Sequence, residues 1–397
     1  MQTSLAPAFQ NRPDAQEAAA LLRSCVHCGF CSATCPTYQI LGDELDGPRG
    51  RLYLIKQVLE GDRPTDKTRL HLDRCLTCRA CETTCPSGVE YGRVLDTGRQ
   101  LVHEQLPRPL WSGLVRRVLA VWLTGPLFAP AVAMGRLLRV LPAAQPAGVV
   151  PHRLHARRML LLAGCVQPAL SPSINAATLR VFDALGITLQ VAPDAGCCGA
   201  IRHHLDDHDG ALSEARRNID AWWPAVEAGA EAIVLNASGC GTMLHEYGHL
   251  LRHDAAYAAK AARISALVRD VAEVLPALLA QLAPRLRERR AQRVVFHPPC
   301  SLQHGQKIRG AVESMLTTLG AEVLPFADAH LCCGSAGTYS LLQPQLSREL
   351  RDRKLAALGA PRPEVILSAN IGCLTHLAGG TPLPVQHWIE WLDEQLA

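Results

Sequence analysis

The sequence predicts an α/β protein with an all-helical N-terminal domain followed by two tandem α/β cysteine-rich repeats on short parallel sheets. Three observations lead there. Two matched cysteine runs, Cys25-Val-His-Cys28-Gly-Phe-Cys31-Ser-Ala-Thr-Cys35-Pro36 and Cys75-Leu-Thr-Cys78-Arg-Ala-Cys81-Glu-Thr-Thr-Cys85-Pro86, are separated by helical patterning. The second half repeats itself around Cys197-Cys198-Gly199 and Cys332-Cys333-Gly334. Short continuous apolar runs alternate there with helical stretches, as in parallel strands covered on both faces. A chain of 397 residues, 48% hydrophobic and 19% charged, can hold two or three domains with their own cores. A net charge of +4 is too small to argue for nucleic acid. All 16 cysteines fall into repeated patterns, which points to metal chemistry rather than a disulfide framework. Met1 to Pro13 lacks a basic stretch followed by an apolar run, so no signal peptide is expected and reducing cytoplasm is the expected compartment.

Residues 14–24 read as a helix that delivers the chain to the first cysteine run. Steps of two, two and three residues closed by proline are the bacterial ferredoxin signature for iron–sulfur ligation. Three thiolates of one tight loop face one cubane, and the fourth ligates the other. Two 4Fe-4S clusters are therefore expected, one on Cys25, Cys28, Cys31 and Cys85, the other on Cys75, Cys78, Cys81 and Cys35. Zinc is the alternative for paired C-x-x-C units, but it needs four ligands and has no use for a third cysteine followed by Cys-Pro. Pro36 and Pro86 are expected to end the cysteine loops, and Thr37 to Gly47 to be a loop. Pro48 to Glu60 reads as a helix with Leu52, Ile55 and Leu59 on one face, and Asp66 to Arg74 as a second. Helical material between the runs makes residues 14–107 a helical ferredoxin domain, with a last helix over 88–107. Arg49 and Arg51 are expected to cap or pair locally rather than meet a partner's anionic surface.

Residues 108–156 form an apolar, arginine-bearing linker or docking segment. Trp111, Leu114, Val118 and Val121 recur at helical spacing, with Arg116, Arg117, Arg136 and Arg139 interspersed. Pro126 and Pro130 interrupt the run, so it falls short of the ~18–20 apolar residues of a membrane span. An interfacial helix pair facing lipid headgroups is the alternative reading.

The repeats are predicted at 157–290 and 291–397. The first carries Cys165, Cys197, Cys198 and Cys240, and the second Cys300, Cys332, Cys333 and Cys373. The pair begins 32 residues after the first cysteine in both, and the last cysteine follows by 42 and 40 residues. Glu231-Ala-Ile-Val-Leu-Asn-Ala-Ser-Gly239-Cys240 answers Glu364-Val-Ile-Leu-Ser-Ala-Asn-Ile-Gly372-Cys373. A fixed internal period with shared landmarks indicates duplication. Each repeat reads β-α-β-loop-α-β, with strands at 158–162 and 233–235, and at 293–296 and 365–367. Ligands of such sheets gather beyond the carboxyl ends of strands. That brings each set of four cysteines to one rim, where they could hold a further cluster or zinc. His245 and His249 mimic the H-E-x-x-H zinc helix, but the other repeat offers only His376 in the matching stretch. His203 and His204 are expected on the solvated surface.

Two ferredoxin runs followed by two Cys-Cys-Gly units resemble the family that includes the iron–sulfur subunit of glycolate oxidase. Its relatives are subunits of anaerobic glycerol-3-phosphate dehydrogenase, lactate-utilisation proteins and heterodisulfide reductase. Gly47-Pro-Arg-Gly-Arg51, the Cys75 to Tyr91 stretch and Asn370-Ile-Gly-Cys-Leu-Thr-His376 look most like the glycolate oxidase subunit. The resemblance implies electron transfer within a flavin-dependent glycolate (2-hydroxy acid) dehydrogenase complex. Flavoprotein partners would carry the flavin and oxidise the substrate, and a membrane acceptor such as quinone would receive the electrons. The chain itself has no Gly-rich nucleotide fingerprint after a strand. Its expected place is cytoplasmic or peripheral on the inner face of the cell membrane. Alternatives are a heterodisulfide-reductase-like thiol/disulfide enzyme, or the iron–sulfur subunit of a lactate or glycerol-3-phosphate dehydrogenase. The heterodisulfide pattern closes each unit with C-x-x-C, whereas Met243 and His376 stand at those last positions here.

Overall fold

The computed structural model describes residues 1–287 and 291–396. It forms two compact units, Met1–Val115 with His330–Lys354, and Arg116–Ala329 with Leu355–Ala397.

In the first unit, helices Pro13–Arg23, Pro48–Leu59, Asp66–Asp73 and Tyr91–Gln105 form the scaffold. Proline opens two of them at the first turn, where its missing N–H costs nothing, and Thr65 caps a third with a capping box. Leu22, Ile55, Leu59, Leu72, Leu95 and Leu101 pack together, each almost wholly buried, and Cys75 and Cys81 belong to the same core. The stretch expected as a loop from Thr37 to Gly47 is instead largely helical, with a helix over Pro36–Leu41 and a 3-10 turn over Glu44–Asp46. Pro36 sits at the first helical position, so it starts a helix rather than only closing the cysteine loop. Gly42, at φ +64°, ends that helix by donating its N–H to Tyr38 O. Gly50 is demanded by close packing, since a Cβ there would lie 2.1 Å from Glu44 O.

The second unit holds two four-stranded parallel sheets. The first comprises β1 (Arg157–Leu161), β2 (Ile187–Gln190), β3 (Ile233–Leu235) and β4 (Val268–Asp270), in the order β2-β1-β3-β4. The second comprises β5 (Arg293–His297), β6 (Glu322–Val323), β7 (Val365–Ser368) and β8 (Val385–His387), in the matching order β6-β5-β7-β8. Leu160 pairs with Ile233, and Val295 with Ile366. The expected pattern has three strands per repeat; β4 and β8 are additions. Each is three residues long with a single apolar residue, Val268 or Val385, so neither makes an apolar run. Alternate residues of β1 face different cores: Met159 and Leu161 join Phe296 and Trp388, whereas Leu160 and Leu162 join Trp222. The first of these cores is shared by both repeats. Ser238 Oγ meets Ser301 Oγ at 2.8 Å, and Gly239 N–H donates to Asn370 Oδ1 at 3.2 Å. The repeat boundary expected at 290 and 291 touches residue 290, which lies outside the described residues.

Helices Leu110–Thr124 and Phe128–Leu137 are bent by 83° at the break containing Pro126. No single described helix is long and apolar enough to cross a membrane.

Candidate iron–sulfur centres

The two ferredoxin loops repeat one backbone shape. His27 and Gly29 have φ of 56° and 81°, and Thr77 and Arg79 have 52° and 57° at the matching positions. Each pair leads into a short helical turn, Phe30–Ala33 or Ala80–Thr84, that carries the third cysteine. Thr34 Oγ1 donates to Ala80 O at 3.5 Å, linking the loops.

Their sulfurs gather in two crossed sets. Burial pushes the Cys31 thiol up to about 11, and Cys25, Cys28 and Cys85 add to the rise. Cys81 is likewise pushed up by burial, then by Cys78, Cys75, Glu82 and Cys35. Thiols this crowded resist joint ionisation unless a cation sits among them, so each donor set fits a metal cluster. Cys25, Cys28, Cys31, Cys81 and Cys85 also line one cavity together with Arg49.

The sets differ in surroundings. Cys28 is exposed and Cys25, Cys31 and Cys85 are half-buried, whereas Cys35, Cys75 and Cys81 are buried. Arg49 pairs with Glu44 at 2.6 Å, the local pairing expected of it. Arg51 is only 1% exposed and bonds His71 O at 2.7 Å and Thr37 Oγ1 at 3.1 Å. Its Nη1 stands 4.0 Å from Cys35 Sγ. Thr37 Oγ1 is 3.3 Å from Cys35 Sγ, and the Tyr91 hydroxyl donates to Cys75 Sγ at 3.6 Å. Arg51 pairs locally as expected, with Asp46 at 3.5 Å, but its place beside the Cys35 sulfur was not legible in the sequence.

In the first Cys-Cys-Gly repeat, Cys165 follows β1, Cys197 and Cys198 follow β2, and Cys240 lies in helix Ser238–His245 after β3. Because these strands are parallel neighbours, all four cysteines reach one rim. Hydrogen bonds link Cys165 to Cys197, Cys197 to Cys198, and Cys198 to Cys240. Bonds from Cys165 and Cys198 hold the Cys197 thiol well below its ordinary range. Gly199 N–H also donates to Cys197 Sγ at 3.4 Å. A Cβ on Gly199, at φ +92°, would lie 2.9 Å from Ala211 O, which explains glycine after the pair.

The second repeat matches this locally. Gly334, at φ +89°, donates to Cys332 Sγ at 3.4 Å, and a Cβ there would lie 2.5 Å from Ser347 O. The Cys332–Cys333 step belongs to the first compact unit, through His330–Lys354. Cys300 and Cys373 belong to the second unit, at the ends of neighbouring strands β5 and β7. A ligand atom of buried His297 lies within 4.8 Å of Cys373 Sγ, making it a candidate donor that the sequence reading missed. Its signal was a histidine in an apolar strand three residues before Cys300, where the first repeat has Leu162.

Helix Ser238–His245 ends before Glu246, and Tyr247–Leu250 begins a separate turn. His245 and His249 thus do not share the continuous helix that the H-E-x-x-H pattern needs. His203 is half-buried and His204 exposed, their rings 5.6 Å apart.

The chain matches the 4Fe-4S dicluster domain over residues 21–89 and the cysteine-rich domain twice, over 159–245 and 294–378. It is 52% identical to the glycolate oxidase iron–sulfur subunit of Escherichia coli, over all of this chain and 99% of the relative. It belongs to the family of glycolate oxidase iron–sulfur subunits. It is also 31% identical to a probable glycolate oxidase iron–sulfur subunit of Bacillus subtilis, over 94% of this chain and 91% of that protein. A lactate utilization protein A of Exiguobacterium is 27% identical, over 59% of this chain and 96% of that protein. As a family member the chain carries 4Fe-4S clusters and is a subunit of an oxidoreductase complex.

Proposed function

We propose that the chain is the electron-carrying subunit of a flavin-dependent glycolate (2-hydroxy acid) dehydrogenase complex. Flavoprotein partners oxidise the substrate, and a membrane acceptor such as quinone takes the electrons. The observation that carries this reading is the pair of crossed four-thiol sets in the helical unit. Cys25, Cys28, Cys31 and Cys85 hold one 4Fe-4S cluster, and Cys75, Cys78, Cys81 and Cys35 hold the other. When bound, such clusters accept and release single electrons. The chain's residues fix the sulfurs, bury Cys35, Cys75 and Cys81 of one set, and place hydroxyls and a guanidinium beside it. The rim of Cys165, Cys197, Cys198 and Cys240 offers four thiols for a further cluster or zinc. Met243 and His376 in place of a fifth cysteine argue against disulfide chemistry, which needs an unengaged thiolate.

The bent helix pair supports a peripheral place on the inner face of the membrane. Arg116 pairs with Asp206 at 3.3 Å, and Arg136 bonds Ala169 O and Leu170 O, so these cations point inward. Val118, Val121, Trp122, Met134 and Leu137 are exposed instead, reversing the usual amphipathic arrangement. Between Glu104 and Asp183 the sequence has no carboxylate side chain. Arg117 and Arg139 stay exposed beside these apolar residues, and such a surface suits anionic lipid.

The test is reconstitution of the holo subunit with flavoprotein partners and glycolate. Cys198→Ser or Cys333→Ser should lower transfer to a quinone while flavin reduction survives. Disulfide turnover by the holo subunit alone would overturn the reading. Partition onto phosphatidylglycerol vesicles that Val121→Glu and Leu137→Glu leave unchanged would overturn the membrane placement.

A further inference from the structure

We infer that the helical unit is electrically polarised: the site at Cys35, Cys75, Cys78 and Cys81 is its electron sink, set by Arg51, and the site at Cys25, Cys28, Cys31 and Cys85 is its entry. This rests on the proposed electron-carrying function and on the crossed sulfur sets. An electron added to a cluster is added negative charge, so burial alone disfavours it and a nearby cation favours it.

The guanidinium groups concentrate at one site, while at the other the Met1 ammonium donates to Cys25 O. Arg51 stands 4.0 Å from Cys35 Sγ in a fully buried position, where solvent screens it little. Arg99 donates to Leu72 O at 2.8 Å and to Cys75 O at 2.9 Å. Arg74 and Arg51 share the buried carboxylate of Asp46, at 2.9 and 3.5 Å, and His71 Nδ1 approaches it at 3.2 Å. Two guanidinium groups and an imidazole therefore face one buried carboxylate, with Arg99 a further cation on the Cys75 backbone, while Asp43, which approaches Asp46, is exposed. Thr37 and Tyr91 hydroxyls and the Thr77 N–H, at 3.4 Å, add hydrogen bonds to the sulfurs. At the other site Arg49 is partly exposed and neutralised by Glu44. There Cys28 is exposed beside Val26, 68% accessible, and Phe30, 61% accessible, an apolar edge open to a donor.

In the transfer itself one electron leaves the entry site, which is oxidised, and enters the sink, which is reduced. No bond or proton moves.

The test is an anaerobic redox titration of the holo chain, with both clusters followed by electron paramagnetic resonance. The sink should have the higher midpoint in the wild type. Arg51→Gln should make its reduction at least tenfold less favourable, 59 mV for one electron, with the entry site unchanged. Arg51→Lys should restore most of that shift. If Arg51→Gln does not fold, Tyr91→Phe and Thr37→Val should each lower the sink's midpoint in the same direction by a smaller step. A wild-type sink below the entry site, or equal shifts at both sites, overturns the polarity while leaving the electron-carrying function standing. Fewer than two 4Fe-4S clusters per chain overturns both.

Discussion

In the helical unit, cysteines meet because two short loops of one shape pack together, each bringing its last cysteine toward the other loop's three. In the α/β unit they meet because parallel strands far apart in sequence end at a common rim. Helix packing holds the first arrangement: Cys75 and Cys81 are part of its core, and Cys25, Cys31 and Cys85 pack against it. The sheets hold the second, with cores of their own in which Cys198 and Cys240 are minor members. The difference teaches that metal and fold should be closely coupled in one unit and more loosely in the other.

Iron removal should sharpen that contrast most. Chelation is expected to unfold the helical unit while the sheets persist, read as loss of helical circular dichroism with retained protection of β1, β3, β5 and β7 amides in hydrogen exchange. Equal loss of protection in both units would break the comparison.

The reciprocal perturbation is Trp388→Ala, which empties a fully buried site in the core shared by the repeats. It should cost about 3–5 kcal/mol of the α/β unit's stability. Iron content of the helical unit should not change.

A smaller effect follows from His387, whose pKa burial pushes down to about 3. Its Nε2–H donates to Asn236 O at 2.9 Å, and its Nδ1 accepts from Ile389 N–H at 3.1 Å, so the neutral ring is required. As pH falls below the ordinary histidine value of about 6.5, the unfolded chain binds a proton that the native ring refuses. Stability should then fall by up to about 1.4 kcal/mol per pH unit down to about 3. Asp270, pushed up to about 7 by burial, contributes the opposite slope as pH rises from about 4. The signature therefore lies in wild type minus His387→Asn, measured by urea unfolding between pH 4 and 7. An identical slope in both proteins would remove His387 from the account.

Local spacing made the ferredoxin loops legible: steps of two, two and three bring the cysteines of one loop together, and a loop's shape depends on near neighbours. The parallel sheets were legible where a strand was an apolar run, as in Ile233-Val-Leu235. They were not where position in the sheet did the work, as in Val268-Arg-Asp270 and Val385-Gln-His387. The helix at Pro36–Leu41 was hidden because Pro36 serves the cysteine run and the helix start at once. Arg51 lay in plain view in Gly47-Pro-Arg-Gly-Arg51, but its burial depends on Asp46, Thr37 and His71 converging on it. His297 stood out as a polar residue in an apolar strand, yet only the fold brings it to Cys373.

The central claim is the exchange of fourth ligands between the two loops, and Cys35→Ser tests it most directly. In spectra of the reduced chain, this variant should lose the same cluster signal that Cys78→Ser loses, and keep the signal that Cys28→Ser loses. Loss instead of the Cys28-dependent signal, with the Cys78-dependent one intact, would contradict the account.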